Sequence, residues 1–271
     1  MTFSGSYDQK IYPKKSNNGF WGLGFLFNYD RQGDSQLSLV NFNVSGSYTR
    51  ILNENNLLSF GLMLGFSSRG FNTEFLTWDK QWDGVQFDPS LSPAENFDMQ
   101  RVNFLETGAG INYRWQQSSR TKLDLGVGAY HFLRPSPNYY NTDDLSLPLR
   151  ITISGIGSFK VASALDIQLQ AAHQLQNEYN ETLFGGLLKF YVNQSKGEET
   201  GFHVGLGYRT SKALIPTLAV AYKNIYVGLS YDIDMSEFDF VTNSRGGPEV
   251  HFRYIISEVK PLSKFKVCPI Y

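Results

Sequence analysis

The chain has 271 residues, enough for one large β domain or two smaller ones. Its formal net charge is -1 and its pI about 6.4, so it carries no global basic field to attract nucleic acid. No apolar run reaches the roughly eighteen residues of a transmembrane helix, and the single cysteine, Cys268, excludes a disulfide framework. Aromatic residues reach 15% (21 Phe, 16 Tyr, 4 Trp) and Gly 25 residues, yet mean hydropathy is only -0.29. A membrane β-barrel combines these features, because only one face of each strand meets lipid.

The N-terminus, MTFSGSYDQKIYPKK, has no charged segment followed by an apolar stretch, so no signal peptide is expected in it. Beyond it the alternation of side chains predicts thirteen strands, at 2–10, 20–30, 36–51, 57–70, 101–116, 121–133, 148–159, 163–173, 181–193, 200–209, 213–222, 224–234 and 247–257. In the second, Trp21, Leu23, Phe25, Phe27 and Tyr29 alternate with Gly22, Gly24, Leu26 and Asn28. In the fourth, Leu58, Phe60, Leu62, Leu64 and Phe66 alternate with Ser59, Gly61, Met63, Gly65 and Ser67. A period of two is the signature of a pleated strand with unlike faces. A soluble sandwich also alternates. Strands of ten or more residues favour the membrane, because soluble strands average about five or six and bilayer-crossing ones need about nine to eleven. Aromatics near strand ends, such as Trp21, Tyr48, Tyr113, Trp115 and Tyr208, fit two interfacial girdles.

The connections at 71–100, 134–147 and 235–246 are long; those after the third, fifth, seventh, ninth and eleventh segments are short. In an up-and-down barrel the long ones then share one side, expected to be extracellular. The expected fold is all-β: a transmembrane up-and-down antiparallel β-barrel of about fourteen strands, thirteen visible and one missing upstream, since single-chain bacterial barrels have even strand numbers. Residues 1–257 form the expected barrel and 258–271 a periplasmic C-terminal tail.

Opposite the apolar face lie Glu106, Arg114, Asp124, Arg150, Asp166, Lys189, His203, Glu249 and Arg253, which the alternation turns toward the lumen. Their mixed signs favour pairing across strands over an open charged pore. The loop 71–100 places Trp78, Asp79, Trp82 and Asp83 in WDKQWDG, short of the EF-hand spacing. Two readings remain: a surface for a partner, or a lid over the barrel mouth with its aromatics packed inward. The tail adds Lys264, Lys266, Cys268, Pro269 and Tyr271 as a second candidate partner-binding set.

No catalytic or metal signature emerges. His131, His173, His203 and His251 fall on different segments without zinc-site spacing, and neither a nucleophile elbow nor a phosphate-binding loop occurs. No cofactor, no metal and no enzymatic activity is expected.

The stretch GSYDQKI, the strand GFWGLGFLFNYDRQGD, the final NSRGGPEVHFRYI and the terminal CPIY together resemble the PorP/SprF family of type IX secretion proteins from Bacteroidetes, over nearly the whole chain. The resemblance implies a non-enzymatic protein of the bacterial outer membrane, in contact with outer-membrane lipid. It implies partnership with periplasmic ring and lipoprotein components of the secretion machinery, or with a large secreted adhesin, including in gliding motility. The competing expectation is a solute channel of the porin or fatty-acid-transporter type; a barrel lipid hydrolase is a distant third.

Overall fold

The computed structural model describes residues 1–13, 18–74, 76–95, 97, 99–140, 145–195, 198–235 and 246–256. Among them, regular structure is almost entirely strand. In chain order these are β1 (Thr2–Ile11), β2 (Gly19–Gln32), β3 (Leu37–Asn53), β4 (Asn56–Gly70), β5 (Arg101–Gln116), β6 (Lys122–Tyr130) and β7 (Arg150–Ala162). Then follow β8 (Leu165–Gln176), β9 (Tyr179–Asn193), β10 (Thr200–Arg209), β11 (Ala213–Tyr222), β12 (Ile225–Tyr231), β13 (Ile233–Asp234) and β14 (Pro248–Tyr254). One turn of 3-10 helix, Asp79–Gln81, interrupts the long loop. The thirteen spans expected from alternation all reappear; the fourteenth, β13, is a two-residue fragment split from the twelfth at Asp232. The sixth ends three residues early. His131 leaves the extended region (φ 64) and turns the chain out of the sheet.

The chain divides into two compact units. In the first, Met1–Ser158 with Gln170–Leu183, each strand from β1 to β7 pairs antiparallel with the next, from Thr2↔Asp30 in the first pair to Lys122↔Ser158 in the last. Its turns follow local chemistry. The Asn53 side chain accepts from the backbone N–H of Asn55 and the amide of Asn56, closing β3 onto β4. Ser118 does the same for Thr121 between β5 and β6. On the polar face, glycines make room for opposing hydroxyls: a Cβ at Gly22 would lie 2.5 Å from Ser47 Oγ. In the second unit, Phe159–Leu169 with Phe184–Tyr271, β10, β11, β12 and β14 pair in that order, and β13 caps the start of β11.

The apolar faces point outward. Phe60, Leu62, Leu64 and Phe66 of β4 are 54%, 71%, 60% and 49% exposed. In the second unit Leu218, Leu229 and Phe252 are likewise exposed. Among the described residues only Val102 and Ala219 are buried hydrophobics, so no apolar core lies behind the sheet. Leaving four such side chains of β4 in water instead of burying them costs about 6–12 kcal/mol. That rivals the whole net stability of a soluble domain, about 5–15 kcal/mol. The outward face therefore needs an apolar solvent, and a soluble sandwich is ruled out.

Candidate functional site

Two long loops of the first unit pack into one body at the β4/β5 and β6/β7 ends. The Phe71 ring meets Phe97 edge-on at 4.8 Å and Tyr139 at 4.7 Å. Phe97 also contacts Trp78 at 6.2 Å and Tyr140 at 5.6 Å. The backbone N–H of Met99 donates to the Tyr139 carbonyl (3.1 Å), and that of Asn72 to Ser35 in the β2–β3 turn (2.7 Å). Aromatic pairs of this geometry add about 0.5–1.5 kcal/mol each beyond area burial. Partial burial and desolvation raise the pKa of the Tyr139 hydroxyl.

Within the loop 71–100 the two tryptophans part. Trp78 joins the aromatic cluster, and its backbone N–H donates to Gln81 Oε1 (3.0 Å). Gln81 is buried and donates in turn to the Leu91 carbonyl (3.3 Å). Trp82 instead pairs with Phe87 in a short antiparallel bridge, and Trp82, Val85 and Phe87 stand 58%, 84% and 44% exposed. Asp83 turns this excursion: its carboxylate accepts from the backbone N–H groups of Val85 and Gln86, both at 2.7 Å. Those bonds, the Gln86 one first, hold its pKa below the ordinary carboxylate value. Asp79 opens the 3-10 turn and is exposed. The expected quartet thus separates into a packing residue, Trp78, a turn former, Asp83, and an exposed pair, Asp79 and Trp82.

Under the second loop sits a buried polar latch. His131 Nε2 lies 3.2 Å from Glu106 Oε2, with side chains 8% and 11% exposed. Ser67 donates to Glu106 Oε1 (3.2 Å), and Asn41 donates to Ser67 (2.6 Å). The Gln176 amide donates to the Pro148 carbonyl (3.2 Å) and lies 3.3 Å from His131 Nδ1. His131 Nδ1 also lies 3.2 Å from the Pro148 carbonyl, and Nε2–H donates to the Glu106 carboxylate. Neither the latch nor the aromatic cluster is visible as a motif; the one signal for each was a Glu106 on the polar face and a high aromatic density in 71–100.

The remaining polar-face residues form separate groups. Arg114 and Asp124 oppose one another in the β5–β6 register and form an ion pair at 2.6 Å. The Arg150 guanidinium lies over the Tyr130 ring at 5.0 Å. In the second unit, Tyr191 donates to the buried Asp166 (2.7 Å), and His203 lies within the fields of Lys189, Arg253 and Asp166. Arg253 covers Tyr226 at 4.9 Å, and the exposed Glu249 sits 3.5 Å from His251. Lys264, Lys266, Cys268, Pro269 and Tyr271 lie outside the described residues.

Long antiparallel strands, an apolar exterior and a polar opposite face define the class of transmembrane β-barrels. Among solved structures, the chain is similar to the crystal structure of a Pseudomonas aeruginosa FadL homologue, with TM-score 0.51 and 11% identity over 92% of this chain and 74% of that one. At that identity the likeness is one of fold. No curated protein matches the chain. The family described as "Type IX secretion system membrane protein PorP/SprF" matches residues 1–254, and the chain belongs to it. It is therefore an outer-membrane component of type IX secretion.

Proposed function

We propose that this component is non-enzymatic and works by binding protein. The packed loops 71–100 and 131–149 receive a secreted surface adhesin, and the short-turn end with the 258–271 tail meets the periplasmic machinery. Residues 1–257 are then the barrel and 258–271 its periplasmic extension. The observation carrying this reading is the excursion at 82–87. It holds Trp82, Val85 and Phe87 out to solvent on a turn fixed by Asp83, while the neighbouring aromatics pack inward. Rigidly presented aromatic side chains are what protein interfaces use as anchors. The lid reading is absorbed rather than opposed: the inner aromatics fold the loop, and the outer ones are left for a partner.

The test is affinity capture from native membranes with wild type, a Trp82→Ala/Val85→Ala variant and a deletion of 258–271. The loop variant is expected to lose the adhesin roughly tenfold or more while keeping the machinery. The tail deletion is expected to do the reverse. Equal recovery from all three, together with open conductance in planar bilayers, would replace this reading with the channel.

A further inference from the structure

We propose that the cavity beneath the second loop binds a singly charged carboxylate carried on an apolar body, with Arg150 and Arg69 as its cationic contacts. The cavity, about 580 Å³, lies within the first unit between the polar face of the strands and the loop 131–149. That volume falls within the range of roughly 300–1,000 Å³ typical of small-molecule sites. Its lining includes the charged side chains Asp30, Arg69, Glu106 and Arg150, with the His131 ring beside Glu106.

The two carboxylates are already engaged. Glu106 receives Ser67 on one oxygen and His131 on the other, both at 3.2 Å, and Asp30 accepts from the Thr2 hydroxyl (2.6 Å). The two guanidinium groups are not. Arg150 stacks on Tyr130, and its Nε is buried with no acceptor. The Arg69 side chain makes no hydrogen bond or ion pair among the described residues. A buried ionised donor without an acceptor is costly, and a guanidinium fork matches a carboxylate in two bonds at once. Stacking on Tyr130 holds one fork in place before any ligand arrives.

The open donors and the nearby acids together favour a monoanion. Two arginines and two carboxylates line the same cavity and their formal charges cancel, so a dianion such as phosphate meets repulsion from Asp30 and Glu106, while a single carboxylate supplies the acceptor that the buried Arg150 Nε lacks. Leu26, Leu39, Met63, Phe104 and Leu147 stand in the walls among polar side chains such as Asn41 and offer the contacts for an apolar body. The carboxylate belongs either to a free small acid or to the C-terminus of a polypeptide. The inference concerns this cavity alone and stands apart from adhesin capture by the exposed excursion.

The experiment is calorimetric titration of the full chain, folded in detergent, with N-acetyl-leucine and with N-acetyl-leucinamide, which differ only in the charged oxygen. The acid is expected to bind roughly tenfold or more tightly than the amide, and Arg150→Gln to erase that preference, with Arg150→Lys in between. Heat-modifiable gel mobility reports whether each variant folds; if Arg150→Gln does not, Arg69→Gln carries the same expectation. A tetrapeptide ending in a free leucine carboxylate separates the sources: tighter binding than N-acetyl-leucine assigns a polypeptide end, weaker binding a small acid. Equal affinity for acid and amide, no binding of the acid at millimolar concentration, or an acid preference unchanged in the folded arginine variants would overturn the proposal.

Discussion

A polar side-chain pair marks each end of the β5–β6 ladder, and the two are unlike. At the short-turn end Arg114 and Asp124 are direct register partners, 2.6 Å apart, with side chains 37% and 17% exposed. At the loop end the β5–β6 register stops at Gly108↔Tyr130. The next residue, His131, turns to positive φ, and its backbone N–H donates to Thr107 (2.8 Å) while its ring reaches Glu106 in a buried setting. The first pair is a consequence of the ladder: any opposite charges placed there would meet. The second exists only because the chain leaves the ladder, so it fixes where the loop starts. Exposed pairs in register add little; buried pairs at a departure point hold architecture.

The sharpest break is Glu106→Ala. It removes the acceptor from the buried His131 Nε2–H and from the Ser67 hydroxyl together. Leaving these two buried donors without an acceptor costs about 3 kcal/mol, and here the cost falls on the loop rather than on the barrel. Amide exchange at His131 and Arg134, which donate to Thr107 and to the His131 carbonyl, is expected to accelerate by about a hundredfold, with Tyr113 and Leu125 unchanged. Uniform acceleration along β5 would mean that the pair supports the sheet and not the loop.

How far each end was legible follows from the same contrast. Arg114 and Asp124 sit on one face by period two, and a short QQSSR turn fixes their register, so the sequence pattern sufficed to place them on a common face. The barrel class was legible for the same reason, repeated along thirteen segments. Alternation carried the sixth segment through to 133, past the real end at Tyr130, because nothing in the period announces a histidine at φ 64. The aromatic cluster was equally hidden. Phe71, Phe97 and Tyr139 are far apart in sequence, and their meeting depends on two loops docking, which no local pattern encodes. WDKQWDG did mark the region, but its two tryptophans read as equivalent, and only packing separates Trp78 from Trp82.

Phe97→Ala tests that docking. The ring touches Phe71, Trp78 and Tyr140, and its removal from a half-buried cluster costs about 2 kcal/mol. The expected result is faster exchange of the Met99 amide, which bonds to Tyr139 across the two loops, with the His131 amide protected as before. If both amides loosen together, the latch and the cluster are one cooperative unit and not two.

The smallest effect is expected at Arg114→Ala. Its side chain is more than a third exposed, so solvent screens the attraction to Asp124 and the arginine gives up side-chain entropy to hold its place. Pairs of this kind are worth about 1 kcal/mol or less, and the β5–β6 backbone bonds persist without them. The thermal midpoint of the gel-mobility transition should therefore stay close to wild type, and added salt should narrow what difference remains. A destabilisation by Arg114→Ala as large as that by Glu106→Ala would show that exposure fails to rank these pairs. The loop latch would then lose its claim to a special role at the mouth of the barrel.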